Sequence, residues 1–373
     1  MSRLLSSVKY NINRERLFQL GQWKSVHQPV ERMNDPIDFV VTWVDGSDPA
    51  WLTEKERYEQ AVGIYAKHTD NGEERYRDWD IFQYWFRAVE TYAPWVHNVY
   101  LVTCGHIPSW INPNAPKLKI IKHTDYIPEQ YLPTFSSNPI ELNFHRIQGL
   151  SEHFVYFNDD VFLNRPVEPE DFFHGGLPNY TAVAVPLRNY TNCAFDHMRF
   201  TTLGVINNHF GADLGYRIKA HPERWFAKQY GGYVRHNLYA FDEGFLPGMV
   251  FPHLGVSCRK STMEKVWKDI PNIMNESSLH RFRTPKDVLH QIFSLWEMLD
   301  GDFFPVSLEH HGMHFSAPVE QKNEIVNAIL QSKYRMICIN DSENVSRDEY
   351  LFLKQVIIDA FSQIFPKKST FEK

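Results

Sequence analysis

The run Phe154-Val155-Tyr156-Phe157-Asn158-Asp159-Asp160-Val161-Phe162-Leu163 interrupts a β-rich, apolar stretch with one amide and two carboxylates. Adjacent carboxylates in apolar surroundings are costly unless something charged neutralises them. A hard divalent cation does so, because it takes oxygen ligands and keeps room for a phosphate. An acidic pair at the end of a strand in an α/β protein therefore marks a candidate metal–nucleotide site. The plainer alternative is an Asx turn with solvated carboxylates.

Polar residues gather in apolar surroundings at several other places. Asp38, Asp45 and Asp48 bracket one short strand, and Arg75, Arg77, Asp78, Asp80 and Arg87 form a second group. Asn138, Glu141, His145 and Arg146 precede the acidic pair, and the first three fall three to four residues apart, on one face if the segment is helical. That face could line a sugar pocket, or it could be a buried network bracing the sheet. His253, Arg281, Arg283 and Asp287 make a further cluster, followed much later by Asn340-Asp341. His253 stands next to Pro252, where a lone histidine reads first as structural. No Walker A loop, GxGxxG, GxSxG or HExxH occurs. P-loop ATP use, Rossmann dinucleotide binding, the common serine hydrolase arrangement and zincin chemistry are thereby excluded.

These side chains need a scaffold. Strands are expected at 37–44, 99–103, 118–121, 154–163, 181–187 and 336–339, each rich in β-branched or apolar residues. Helices are expected at 51–65, at 78–92 with Asp78 as cap, and at 138–151, 286–299, 319–331 and 347–364. The stretch 195–250 is aromatic, Gly-rich and less regular, and reads as a helical insertion or lid. Alternating strands and helices give an α/β fold with a mixed or parallel sheet. Ligands in such folds bind at the carboxyl ends of the strands, where Asp45, Thr103 and Asp159/Asp160 would sit. The expected organisation is a basic segment 1–34, one catalytic domain 35–365 and a tail 366–373.

Composition limits the function classes. The chain has 373 residues, 43% hydrophobic and 15% aromatic, enough for a substantial core and too much for a disordered protein. A net charge of −6 gives no support to a nucleic-acid surface. No signal peptide and no membrane-spanning run is visible. The basic start reads as a helix packed on its own domain or as an amphipathic segment on an anionic membrane surface. Cys104, Cys193, Cys258 and Cys338 are too widely spaced for a disulfide framework and read as reduced thiols of a cytoplasmic protein. The sequons at Asn179, Asn189, Asn275, Asn340 and Asn344 then carry no meaning.

Longer motifs sharpen the reading. They are Ile37-Asp38-Phe39-Val40-Val41-Thr42-Trp43-Val44-Asp45-Gly46-Ser47-Asp48, then Arg75-Tyr76-Arg77-Asp78 through Leu132-Pro133-Thr134-Phe135-Ser136-Ser137 to Asn158-Asp159-Asp160-Val161. His253 through Arg283 and Asp287, Cys338-Ile339-Asn340-Asp341, and the terminal Phe365-Pro366-Lys367-Lys368-Ser369-Thr370-Phe371-Glu372 follow. From about Asp35 to Glu372 the chain resembles the Stealth family, sugar-1-phosphate transferases of microbial cell-surface polysaccharides related to the lysosomal-enzyme N-acetylglucosamine-1-phosphotransferase. It departs from the family at Leu254-Gly255-Val256, where another Pro-His is usual. The resemblance implies a Rossmann-like, GT-A-like nucleotide-sugar transferase fold with a helical insertion and C-terminal helices. It implies a UDP-sugar donor, an oligosaccharide or lipid-linked glycan acceptor, and Mg2+ or Mn2+. Carried over residue by residue, it marks Asp38, Asp160, His253 and Arg283 as active-site residues. The expected metal ligands are Asp159, Asp160, Asn340 and Asp341. Asp45, Arg75, Arg87, Asn138, Glu141, His145 and Arg146 are the expected substrate contacts. The competing readings are a conventional glycosyltransferase that releases UDP and a non-catalytic subunit of polysaccharide synthesis.

Overall fold

A computed structural model describes residues 2–29, 31–63, 77–188, 194–316, 319–341 and 345–373. Its centre is a five-stranded sheet in the order β3-β2-β1-β4-β8. The strands are β1 (Ile37–Thr42), β2 (Val99–Thr103), β3 (Leu118–Lys122), β4 (His153–Phe157) and β8 (Val256–Arg259). The first four run parallel, with Val41 opposite both Leu101 and Phe157, and β8 closes the edge antiparallel to β4. From β1 the chain builds outward to β2 and β3, then returns to place β4 on the other side of β1. That reversal is the switch point at which doubly wound sheets bind ligands.

The parallel strands are nearly continuous apolar runs because both faces are covered. Phe39, Val41, Val155 and Phe157 point into one core with Trp85, Phe86 and Phe361; Val40, Phe154 and Tyr156 point into the other with Phe144, Trp225 and Trp296. Helix Phe82–Tyr92 supplies six buried residues at helical spacing to the first core. The mixed α/β architecture with a parallel-rich central sheet is therefore as expected.

Several boundaries differ from the sequence reading. The 154–163 run is two strands: β4 stops at Phe157, a turn closed by Val161 N to Asn158 O intervenes, and β5 (Val161–Leu163) leaves the sheet. β5 pairs antiparallel with β11 (Met336–Ile339), which runs parallel to β10 (Met313–Phe315). The helix expected over 138–151 covers only Ser137–Leu142, followed by a 3-10 turn at Phe144–Arg146. Asn143 donates through its side chain to the carbonyl of Pro139, a local bond that competes with helix propagation. Residues 181–187 are not a regular strand: they meet 247–250 at an isolated Ala184–Met249 bridge with a few backbone bonds, such as Val185 N to Gly248 O, while the Asn237 side chain takes up Ala184 N and the Ala182 carbonyl. A strand lies just before them, β7 (Leu177–Tyr180), between β6 (Phe173–His174) and β9 (Phe304–Pro305). Asp78 is not a helix cap; it accepts from Asp80 N in a local turn, and the helix begins at Phe82. Likewise Asp287 turns the chain by accepting from Thr284, so that helix begins at Gln291.

The 195–250 stretch is helical, from Ala194–Phe210 to His236–Glu243. Helix Ser2–Val26 packs on the Pro222–Trp225 turn, where a Cβ on Gly21 would lie 2.3 Å from the Pro222 carbonyl oxygen. Tail residue Phe371 is buried in the first core beside Phe86. Cys104, Cys258 and Cys338 are free thiols. Among the described residues no helix is long and apolar enough to cross a membrane.

Candidate active site

The end of β1 supplies Thr42, Trp43 and Val44, and the end of β4 supplies Asn158, Asp159 and Asp160. Between them opens a cleft of about 300 Å³. The end of β11 adds Asn340 and Asp341, the loop before β8 adds His253, helix Ser137–Leu142 adds Asn138 and Glu141, and the 280–290 loop adds Arg283 and His290. Segments far apart in the chain thus converge at the carboxyl ends of the strands, as the topology requires.

The acidic pair forms the floor. Asp159 is exposed at the cleft, within a crowded floor; desolvation by the surrounding atoms, then the charges of Asp160 and Asp78, push its carboxyl up to about 7. Asp160 moves the other way. Desolvation would raise it, but His253 and the thiol of Cys338 hold it below the usual carboxylate range. His253 Nε2 lies 3.6 Å from Asp160 Oδ2 and 3.1 Å from Asn158 Nδ2. Cys338 Sγ donates to Asp160 Oδ2 at 3.3 Å, while Asp160 Oδ1 is buried without a hydrogen-bond partner among the described residues. An orphaned carboxylate oxygen beside a carboxyl that resists ionisation suits a divalent cation ligated by oxygen.

A polar wall continues from this floor. The Tyr156 hydroxyl lies within hydrogen-bonding reach of Asn158 Oδ1 and, at 3.0 Å, of Glu141 Oε1; Glu141 Oε2 sits 2.6 Å from His290 Nδ1. Desolvation would raise buried Glu141, but the His290 charge and hydrogen bonds from His290, Ser137 and Tyr156 bring it down to about 2. Arg283 reaches Ser137 Oγ at 3.3 Å on the cleft wall, while nearby Asp287 is taken by His280 at 2.6 Å.

Of the residues singled out from sequence, the cleft unites Asp159, Asp160, Asn340, Asp341, His253, Arg283, Asn138 and Glu141. Asp341 enters with both oxygens already held by Arg77 at 2.7 Å, so it anchors the wall before it could serve an ion. Asp38 does not belong to the cleft. It lies at the opposite end of β1, fully buried, accepting from Asn98 N and Ser151 N and from His97, and it ties together the starts of β2 and β4. Arg87 pairs with Glu372. Arg146 stacks on Trp267, and buried His145 packs beside that ring, because the shortened helix turns both away from Glu141. Asp45 accepts from Ser47 and shapes the turn after β1, one residue beyond cleft-lining Val44. Arg75 lies outside the described residues. His290, Tyr156 and Cys338 were not singled out for a site: each sits inside an apolar run, and only long-range pairing reveals its neighbours.

The fold and cleft define an α/β protein with a polar, cation-compatible site at the switch point of a parallel-rich sheet. The family models for conserved region 1 and conserved region 2 of Stealth proteins match residues 35–63 and 75–179. The "Capsular polysaccharide phosphotransferase WcwK" of Streptococcus pneumoniae is 40% identical over 343 residues, covering 91% of this chain and 100% of that protein. The "Receptor polysaccharide phosphotransferase WefC" of Streptococcus gordonii is 37% identical with the same coverage. The "Exopolysaccharide phosphotransferase cps2G" of Lactiplantibacillus plantarum is 41% identical, covering 90% of this chain and 96% of that one. A solved structure titled "WbbM bifunctional glycosytransferase apo structure" overlaps loosely, with 9% identity and a TM-score of 0.35 over 90% of this chain and 52% of that one. The chain belongs to the Stealth family.

Proposed function

We propose that this protein is a cell-surface polysaccharide phosphotransferase that moves hexose-1-phosphate or N-acetylhexosamine-1-phosphate from a UDP-sugar to a sugar hydroxyl. The observation that carries this reading is the meeting of an imidazole, an acidic pair and a guanidinium in one cleft at the sheet's switch point. Phosphoryl transfer needs positioning and charge neutralisation more than covalent chemistry, and those are the groups that provide them.

The acceptor hydroxyl gives its proton to His253 Nε2 as its oxygen bonds to the β-phosphorus. The bond from that phosphorus to the bridging oxygen breaks, UMP leaves, and the sugar-1-phosphate becomes a phosphodiester. Arg283 faces the cleft with a planar fork suited to two phosphoryl oxygens. Asn158 and Asp160 orient the His253 ring from one side. Asp159 and Asp160, flanked by Asn340, would hold Mg2+ or Mn2+. Such an ion neutralises diphosphate charge when bound. An oligosaccharide or lipid-linked glycan is the acceptor class, which fits work in the cytoplasm or at the inner face of the plasma membrane.

Phosphorus NMR of products from a UDP-sugar and an acceptor glycan tests the proposal. UMP and a new phosphodiester are expected. UDP release would mean attack at the anomeric carbon and would overturn it.

A further inference from the structure

The floor of the cleft holds more than oxygen ligands. Asp160 Oδ2, His253 Nε2 and Cys338 Sγ lie within 4.8 Å of one another, two of the separations being 3.6 and 3.3 Å. With metal–ligand bonds of roughly 2.0–2.3 Å, the edges of a tetrahedron are about 3.3–3.8 Å. The two separations from Asp160 therefore already match the edges of such a site, with the third atom pair within 4.8 Å. They come from the end of β4, the loop before β8 and strand β11, so the fold itself brings them together. His253 and Asp160 also face the open cleft, which leaves a fourth position for solvent or a ligand oxygen.

Thiolate and imidazole donors select ions softer than magnesium. Asp159 and Asn340, which also line the cleft, offer only oxygen or amide groups. We infer that Asp160, His253 and Cys338 form a site for a borderline divalent cation of the Zn2+ class, which when filled switches the transferase off. The ion displaces the thiol proton that Cys338 now donates to Asp160; that proton goes to solvent and the sulfur lone pair goes to the metal. His253 Nε2 becomes a ligand and cannot accept a proton from the acceptor hydroxyl. The inhibitory half rests on the proposed role of His253; the binding half does not.

The test uses the full chain and Co2+ as a spectroscopic substitute for Zn2+. Wild type should take up one equivalent with a thiolate-to-cobalt charge-transfer band, released by added Zn2+. Cys338→Ser should lack the band. Cys104→Ser should keep it, although Cys104 is itself 3.4 Å from His106 Nδ1. Because Cys338 is fully buried, His253→Ala at an exposed position is the second variant, and its Co2+ affinity should fall by at least about tenfold, as even outer-shell changes can cause. With Mg2+ present, Zn2+ should inhibit wild type, and half-inhibition in Cys338→Ser should need more than about tenfold more Zn2+. No band in wild type, or a band lost in Cys104→Ser and kept in Cys338→Ser, would overturn the site. A band with full activity at saturating Zn2+ would overturn the switch. The cobalt spectrum reads the site whatever reaction the NMR experiment finds.

Discussion

Asp159 and Asp160 are neighbours in sequence with opposite tendencies, and the difference is environmental. Asp160 has His253 and a thiol donor; Asp159 has mainly other acids. An acid raised from 3.8 to about 7 on folding keeps a proton that the unfolded chain has lost between those values. Its contribution to stability is full at low pH and is lost as pH rises through about 7. In chelator, Asp159→Asn should therefore gain in Tm over wild type between about pH 5 and about pH 8. Parallel Tm curves would show that Asp159 ionises normally. His253→Ala should lower kcat by about 10²–10⁴-fold with donor affinity little changed. Lost UDP-sugar binding with normal single-turnover chemistry would make His253 a donor ligand instead. The acidic pair was legible because charge in an apolar run is conspicuous. His290 and Cys338 were not, because their significance lies in Glu141 and Asp160, far away in the chain.

At the scale of elements, the short loop 252–255 decides where the imidazole stands. A Cβ on Gly255 would lie 2.7 Å from Phe157 Cε1 and 3.0 Å from Met336 Sδ, both in buried residues. The departure at Leu254-Gly255-Val256 thus lets the loop lie directly on β4 and β11. Gly255→Ala should cost about 1–3 kcal/mol by overpacking and should lower kcat more than it raises KM, because the loop carrying His253 must lift. Unchanged kcat in a variant with lowered Tm would show that His253 is placed independently of Gly255. Strand β11 and helix Arg347–Ile364 matched their expected spans because each is bounded by clear polar signals, the helix by a Ser346–Glu349 capping box. The helix at 138–151 failed because one Asn side chain outcompetes a backbone bond, which periodicity does not register.

The whole molecule is closed by contacts that no local pattern announces. A mixed or parallel sheet came within reach of sequence reasoning because strands alternated with helices; its strand order, the pairing of β5 with β11 and the seating of 366–373 did not. Arg87 stands in a polar cluster and Glu372 in the terminal motif, and the structure joins them. Arg87 Nε and Nη2 donate to the Glu372 carboxylate at 2.8 and 2.6 Å, and Nη1 donates to the Phe365 carbonyl oxygen. Side-chain exposures of 13% and 3% make this a largely buried pair, fixing the tail over helix Phe82–Tyr92. Removing one partner of such a pair leaves the other charge stranded, at about 3–5 kcal/mol. Arg87→Ala should therefore lower Tm markedly while the KM for the proposed UDP-sugar donor stays within about twofold, since Arg87 does not line the cleft. Arg87→Ala together with Glu372→Leu should recover much of the lost stability, because an apolar side chain leaves no stranded charge. Unchanged Tm with weakened donor binding would return Arg87 to the substrate contacts expected from sequence.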